Sequence, residues 1–207
     1  MLLGDIPVWF FGAMGITAGL FALADFVFYI FAIYGRDYRL RHIEEKTVPN
    51  RATWFIWAAI GVITAASYHA SGATDTVWFP VAYAVGFTAI ALLSIKYGEG
   101  GFNWTDGLCV TGAALAGFGW WYFDSPQVAL FASLVIETFA GIPTILKSWR
   151  EPEKESKLAW TLSMFASVAN ICAINWLSAT FWVILFPVYI LVLNSLITAP
   201  LYLKRRV

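Results

Sequence analysis

Residues 134–156 read Leu-Val-Ile-Glu-Thr-Phe-Ala-Gly-Ile-Pro-Thr-Ile-Leu-Lys-Ser-Trp-Arg-Glu-Pro-Glu-Lys-Glu-Ser. An apolar run here holds a carboxylic acid, Glu137, and is interrupted further on by Pro143. A charged turn, Lys147 to Lys157, then hands the chain to another apolar run. An acid placed in hydrocarbon is costly and marks a functional position by default. The fold follows from asking what this segment pairs with.

The whole chain shares the pattern. Of its 207 residues, 60% are apolar, 18% aromatic and only 13% charged, against about 25% charged in a soluble domain. The apolar residues fall in long blocks divided by short polar joints, which describes an all-α integral membrane protein. About 20 apolar residues cross a bilayer core of about 30 Å as a helix. That ruler predicts seven spans, at 8–34, 52–71, 76–97, 104–123, 126–148, 158–177 and 180–203.

Orientation has an independent handle, because basic residues collect in cytoplasmic loops. Arg36, Arg39, Arg41, Lys46 and Arg51 occupy the first joint, with Lys96 at the end of the third run. Lys147, Arg150, Lys154 and Lys157 occupy the fifth joint, and Lys204, Arg205 and Arg206 end the chain. These are all thirteen Lys and Arg, and seven spans with the N-terminus outside and the C-terminus cytoplasmic put every one on the same side. The eleven tryptophans sit near the ends of runs, as amphipathic indoles do at headgroup level. The expected location is the cell's inner, plasma membrane.

Zero net charge points away from nucleic acid as a partner. Cys109 and Cys172 lie inside apolar runs and are expected as buried, reduced thiols. The N-terminus lacks the basic region of a cleaved signal peptide.

The chain also resembles itself. Setting Trp54 on Trp160 brings Phe79-Pro80-Val81 onto Phe186-Pro187-Val188, with Trp-to-Pro intervals of 26 and 27 residues. Asp25 in the first run then matches Glu137 in the fifth, each about ten residues before a basic joint, or about 15 Å into the bilayer. The predicted organisation is a first three-helix repeat over 1–98, a linker helix over 99–125 and a second repeat over 126–207. The linker restores the direction of the chain, so the repeats are parallel. Parallel repeats are a transporter architecture, with the solute site near the midplane.

This order of three, one and three helices resembles the SWEET sugar transporters and the wider PQ-loop superfamily. The stretch Ile142-Pro-Thr-Ile-Leu-Lys-Ser-Trp-Arg150, followed by Glu155-Ser156 and a helix start, is similar to the PQ-loop itself. Thr144 stands where that family has Gln, and Val81 and Val188 stand where SWEETs carry a sugar-binding Asn. Trp176 matches the family's pocket tryptophan, with Ala70 at the partner position. The resemblance implies a carrier, and its acid-rich members imply proton-coupled amino-acid export. Vitamin-precursor carriers share a similar architecture.

Candidate functional residues follow. Asp25 and Glu137, facing each other at mid-depth, serve either as proton carriers and amine ligands or as hydrogen-bonded packing groups. Asn170 and Asn194 line the same pathway or tie helices together. Tyr83 and Tyr189 occupy related positions in the two repeats and gate or line the pore, or pack as ordinary aromatics. Gly141 and Pro143 form a hinge or a static kink. His42 and His69 are solitary, no ligand-spaced cluster exists, and no metal or cofactor is expected. No lysine lies mid-way along the seventh run, which argues against a retinal Schiff base, and residues 98–101 form a turn rather than a phosphate loop. No nucleophile–base pair points to an enzyme.

The function expected is a membrane transporter moving a small polar solute (sugar, amino acid or vitamin precursor) by alternating access, with proton coupling through Asp25 and Glu137 as one option. The alternative is a non-transport protein on the same scaffold, a cargo receptor or an accessory subunit. The expected partners are the lipid bilayer and the solute, with self-association left open.

Overall fold

A computed structural model describes residues 6–34, 49, 51–98, 104–150, 152 and 157–203. Arg36, Arg39, Arg41, Lys46, Lys154, Lys204, Arg205 and Arg206 lie outside the described residues, as do His42 and residues 99–101 and 155–156. Cys109, Pro143 and Lys147 are described through their backbone alone.

Each apolar run is a helix. In chain order they are α1 (Val8–Tyr34), α2 (Arg51–Ala70), α3 (Trp78–Tyr97), α4 (Trp104–Phe123), α5 (Pro126–Arg150), α6 (Lys157–Cys172) and α7 (Phe181–Leu203), with a 3-10 turn at Asp75–Val77 before α3. The described residues contain no strand. Four stretches are long and apolar enough to cross a membrane: Val8–Phe31, Asp75–Tyr97, Pro126–Arg150 and Phe181–Leu203. Trp54–Ala70 is a shorter apolar helix. Large apolar side chains face outward along these helices, among them Leu20, Val85, Leu92, Phe131 and Phe139. A water-facing surface does not carry so much apolar area, whereas a lipid-facing one does. The protein is of the membrane-embedded, all-helical class.

The sixth helix is shorter than its apolar run. It ends at Cys172, not near residue 177. Beyond it Ala173 and Ile174 stay buried as a turn, and the Asn175 side chain accepts the backbone N–H of Leu177 at 3.3 Å. An Asn that bonds its own downstream backbone offers the chain an alternative to helix. Cys172 consequently sits free and exposed at a helix end, which corrects the expectation of a buried thiol.

Other joints follow from their residues. Gly72 turns the chain after α2 with φ of 103°, a left-handed conformation that glycine adopts without steric cost. Asp124, with φ of 47°, ends α4 in the same region, and Pro126 opens α5 at the position where a missing N–H costs nothing. Arg51 crosses from α2 to the end of α3, donating from Nε to the Ser94 carbonyl and from Nη2 to the Gly98 carbonyl, both at 2.9 Å. A cation is favoured at the carbonyl end of a helix.

Six helices form a closed ring. Going round it, α1 packs on α3, α3 on α2, α2 on α5, α5 on α7, α7 on α6, and α6 back on α1. Few contacts cross the ring, and α4 lies outside it against α5 and α2. One buried cluster, at the end of the bundle marked by Gly72, joins Tyr68, Phe79 and Ala82 to Leu130, Ala166 and Phe186 across the ring. A second, at the end marked by Arg51, gathers Phe26, Ile33, Trp54 and Ile90 from α1, α2 and α3.

Proline shapes α7. Pro187 and Pro200 lie inside it and supply no N–H to the carbonyls of residues 183 and 196. Both carbonyls find substitutes from other helices. The Tyr68 hydroxyl donates to Val183 O at 2.6 Å, and Trp149 Nε1 donates to Leu196 O at 3.2 Å.

Close packing sets one stability prediction. A Cβ on Gly15 of α1 would sit 1.8 Å from the Asp75 carbonyl oxygen, whereas one on Gly117 of α4 meets nothing within 4 Å. Gly15→Ala is expected to lose about 1–3 kcal/mol or more by overpacking backbone against backbone. Gly117→Ala is expected to be neutral or to gain up to about 1 kcal/mol from helix propensity. Thermal unfolding of the two variants in detergent checks the opposite signs.

Candidate functional site

The helices bring a polar cluster together inside the ring. Asp25 on α1 faces α6, where the Ser163 hydroxyl donates to its Oδ2 at 2.8 Å. These residues are 138 apart in sequence. Tyr83 on α3 points its hydroxyl at Ser163 Oγ, 3.5 Å away. Asn194 on α7 donates from Nδ2 to Ser167 Oγ at 2.8 Å and to the Ser163 carbonyl at 3.3 Å. Four helices of the ring thus meet at Ser163 and its neighbours.

Tyr83 is the hub. Its ring stacks on Phe79 at 4.7 Å and meets Phe26 and Phe87 edge-on at 5.3 and 5.2 Å. Those three rings fix its direction. Its hydroxyl lies within electrostatic reach of both Asp25 and Glu137, with Asn194 as a further polar neighbour. Glu137 comes from α5, half-buried, and also acts on the Tyr189 hydroxyl. The Tyr189 hydroxyl lies 3.3 Å from Thr138 Oγ1 and has no hydrogen bond to the Ser163 cluster among the described residues.

The remaining expected residues separate. Asn170 is fully buried on α6, and neither its Oδ1 nor its Nδ2 has a hydrogen-bond partner. Trp176 lies in the turn after α6, exposed, beside a hollow of about 190 Å³ lined by Phe10, Phe11 and Cys172. That hollow is shared with the start of α1 and is remote from the acids in the fold. α5 runs as unbroken helix through residues 141 and 143, with Gly141 against Leu193. His69 bonds the Ala73 carbonyl through Nδ1 at 2.9 Å. No group of three metal-ligating side chains occurs among the described residues.

The sequence reading missed Ser163 and Ser167. The signal was present: with Asn170 they fall at i, i+4 and i+7, one face of a helix. It also missed the closure at the Gly72 end. There Tyr68, fully buried, bonds Val183 O and Thr76 Oγ1, the latter at 2.7 Å. Its ring lies 5.0 Å from Phe186, which in turn meets Phe79 at 5.9 Å. These contacts join α2 and α3 to α7. Toward the Arg51 end, Arg51 to Ser94, Trp149 to Leu196 and Thr198 to the Trp160 carbonyl each join helices within 51–98 or within 126–203.

Asn194 gives a direct test of the cluster. Its amide donates to two buried acceptors, and Asn194→Leu removes both bonds while the Ser167 hydroxyl keeps its own to the Ser163 carbonyl at 2.9 Å. A loss of about 0.5–1.5 kcal/mol is expected, read as a lower thermal midpoint in detergent.

No protein-family model, no curated protein and no solved structure matches this chain.

Proposed function

We propose that the chain is a seven-span membrane carrier that moves a small polar solute by alternating access, with Asp25 and Glu137 coupling transport to protons or holding the solute. The observation that carries the reading is the polar cluster at Ser163, which Asp25, Tyr83 and Asn194 reach from three other helices. Glu137, from the half of the sequence that does not hold Asp25, lies within electrostatic range of the Tyr83 hydroxyl. Intramembrane acids that meet inside a bundle mark ion or solute pathways.

The ring order supports the repeat. Exchanging α1 for α5, α2 for α6 and α3 for α7 maps the sequence of neighbours onto itself, with α1 on α6 becoming α5 on α2. Residues 1–98 and 126–207 then act as parallel halves, with 99–125 as the linker, in the manner of the PQ-loop superfamily that the chain resembles. Both shared faces lie between halves, where a rocking motion opens one side at a time. With the N-terminus outside, the Gly72 end faces outward and the tyrosine closure seals it. The conformation is outward-closed. The membrane is taken to be the cell's inner one, from the basic joints.

The test is solute flux into proteoliposomes, with and without a pH gradient, for a panel of sugars, amino acids and vitamin precursors. Flux that responds to the gradient, and loses that response in Asp25→Asn/Glu137→Gln, supports the reading. No flux for any of the panel removes it and leaves a non-transport scaffold.

A further inference from the structure

Among the described residues, two buried side chains have polar atoms without a hydrogen-bond partner: Thr64 on α2, through Oγ1, and Asn170 on α6, through both amide atoms. Their relative exposures are 4% and 0%. A buried amide or hydroxyl without a partner is destabilising, and native folds rarely leave one so. Thr64 had an easy remedy. Thr17, Thr88, Thr138 and Thr161 each return their hydroxyl to the carbonyl one helical turn back. Thr64 does not.

The two positions correspond. They are 106 residues apart, the interval that sets Trp54 on Trp160. Each lies on the stripe of its helix whose other polar residues, Ser163 and Tyr68, reach across the ring. Asn170 continues the stripe of Ser163 and Ser167, whose hydroxyls meet Asp25 and Asn194. Thr64 lies between Gly61, which packs on Phe87 and Ala84, and Tyr68, which reaches Val183. Along α6, Asn170 is seven residues beyond Ser163 toward the Gly72 end, about 10 Å. The pair therefore forms a layer between the acid cluster and the tyrosine closure.

We infer that Thr64 and Asn170 form a binding layer for an uncharged group that donates and accepts hydrogen bonds together, a hydroxyl or a carboxamide. Neither side chain carries charge, and the Asn170 amide brings donors as well as an acceptor, which matches a neutral group of both kinds. Asn offers one acceptor and two donors, and Thr one of each kind. A solute with a single hydroxyl or amide satisfies both functions at once. Charge on the same solute is handled by the acids, about 10 Å further along. The inference rests on the carrier reading only for the route by which the solute arrives.

Two measurements test it. The first is the thermal midpoint of Asn170→Leu in detergent. Leu removes an unsatisfied amide at similar volume, so the midpoint is expected to hold or to rise by up to about 3 °C. A fall would mean that Asn170 supports the fold, and overturns the proposal. The second uses Thr64→Cys in a Cys109→Ser/Cys172→Ser background, in proteoliposomes, with a small charged methanethiosulfonate reagent. The cysteine is expected to be modified. Glycerol (hydroxyl) or acetamide (carboxamide) is expected to slow modification at least about threefold, and not in the presence of Asn170→Leu. Whichever of the two protects names the group. No modification from either side of the membrane, no protection by either solute, or protection that survives Asn170→Leu, each overturns the proposal. If Thr64→Cys does not fold, Asn170→Cys becomes the reporter and Thr64→Val the silencing change, with the same readings. Modification needs no flux and no acid. Protection retained without transport therefore removes the carrier reading alone, and transport without protection removes this one alone.

Discussion

If the carrier reading holds, proton-driven flux is expected to fall at least about tenfold in Asp25→Asn/Glu137→Gln, with folding and insertion retained. Tenfold corresponds to about 1.4 kcal/mol of coupling, a modest demand on two acids within electrostatic reach of one hydroxyl. The amides preserve shape and most hydrogen bonding. Ser163, which donates to Asp25 at 2.8 Å, can still donate to the carbonyl of Asn. What the variant loses is the ability to take up and release a proton. Each single change is expected to do most of the damage, because groups that act as a unit give non-additive losses. Uptake assayed with and without a pH gradient separates the roles. Loss of the gradient response with downhill flux intact assigns coupling, and loss of both assigns solute binding. Undiminished response to the gradient in the double variant would remove both acids from the mechanism.

The second large effect concerns Tyr68→Phe. The ring stays in place against Phe186, and only the hydroxyl is lost. Its acceptor, Val183 O, has no helical donor because residue 187 is proline. Leaving that carbonyl and Thr76 Oγ1 without Tyr68 costs about 1–3 kcal/mol while the Gly72 end is closed. Under the carrier reading, water meets both groups when that end opens. The penalty therefore falls on one conformation, and each 1.4 kcal/mol shifts the balance toward the open one by about tenfold. Ala82, buried in the cluster beneath the closure, is a suitable reporter as Ala82→Cys in a background without other cysteines. Modification by an impermeant thiol reagent from the Gly72 side is expected to speed up at least about fivefold. An unchanged rate would mean that the rings alone hold that end shut.

Much of this was legible in the sequence. Seven apolar runs became seven helices, six of them with ends within a few residues of expectation, because hydropathy and length decide helices in an apolar solvent. The exception, α6, shows the limit. Ala173 and Ile174 are as apolar as a helix requires, yet Asn175 draws the backbone into a turn. Hydropathy does not register that competition.

The candidate site was half legible. Acids in apolar runs stand out, so Asp25 and Glu137 were singled out as candidates. Ser163 did not stand out, being small, neutral and common in membrane helices, and only its long-range partner gives it meaning. Tyr83 and Tyr189 are 106 residues apart, the interval that sets Trp54 on Trp160, yet their hydroxyls occupy different surroundings. Asn170 was singled out for its polarity, but its lack of a partner is a property of packing that no sequence displays.

The acceptor that Tyr68 uses belongs to the main chain. Every residue type carries that oxygen, so exchanging the side chain at 183 cannot erase the fastening. Genetic drift at that position is therefore buffered. The vulnerable letter is four places on, where swapping proline for any other amino acid would restore a competing amide hydrogen and let the helix reclaim its own carbonyl.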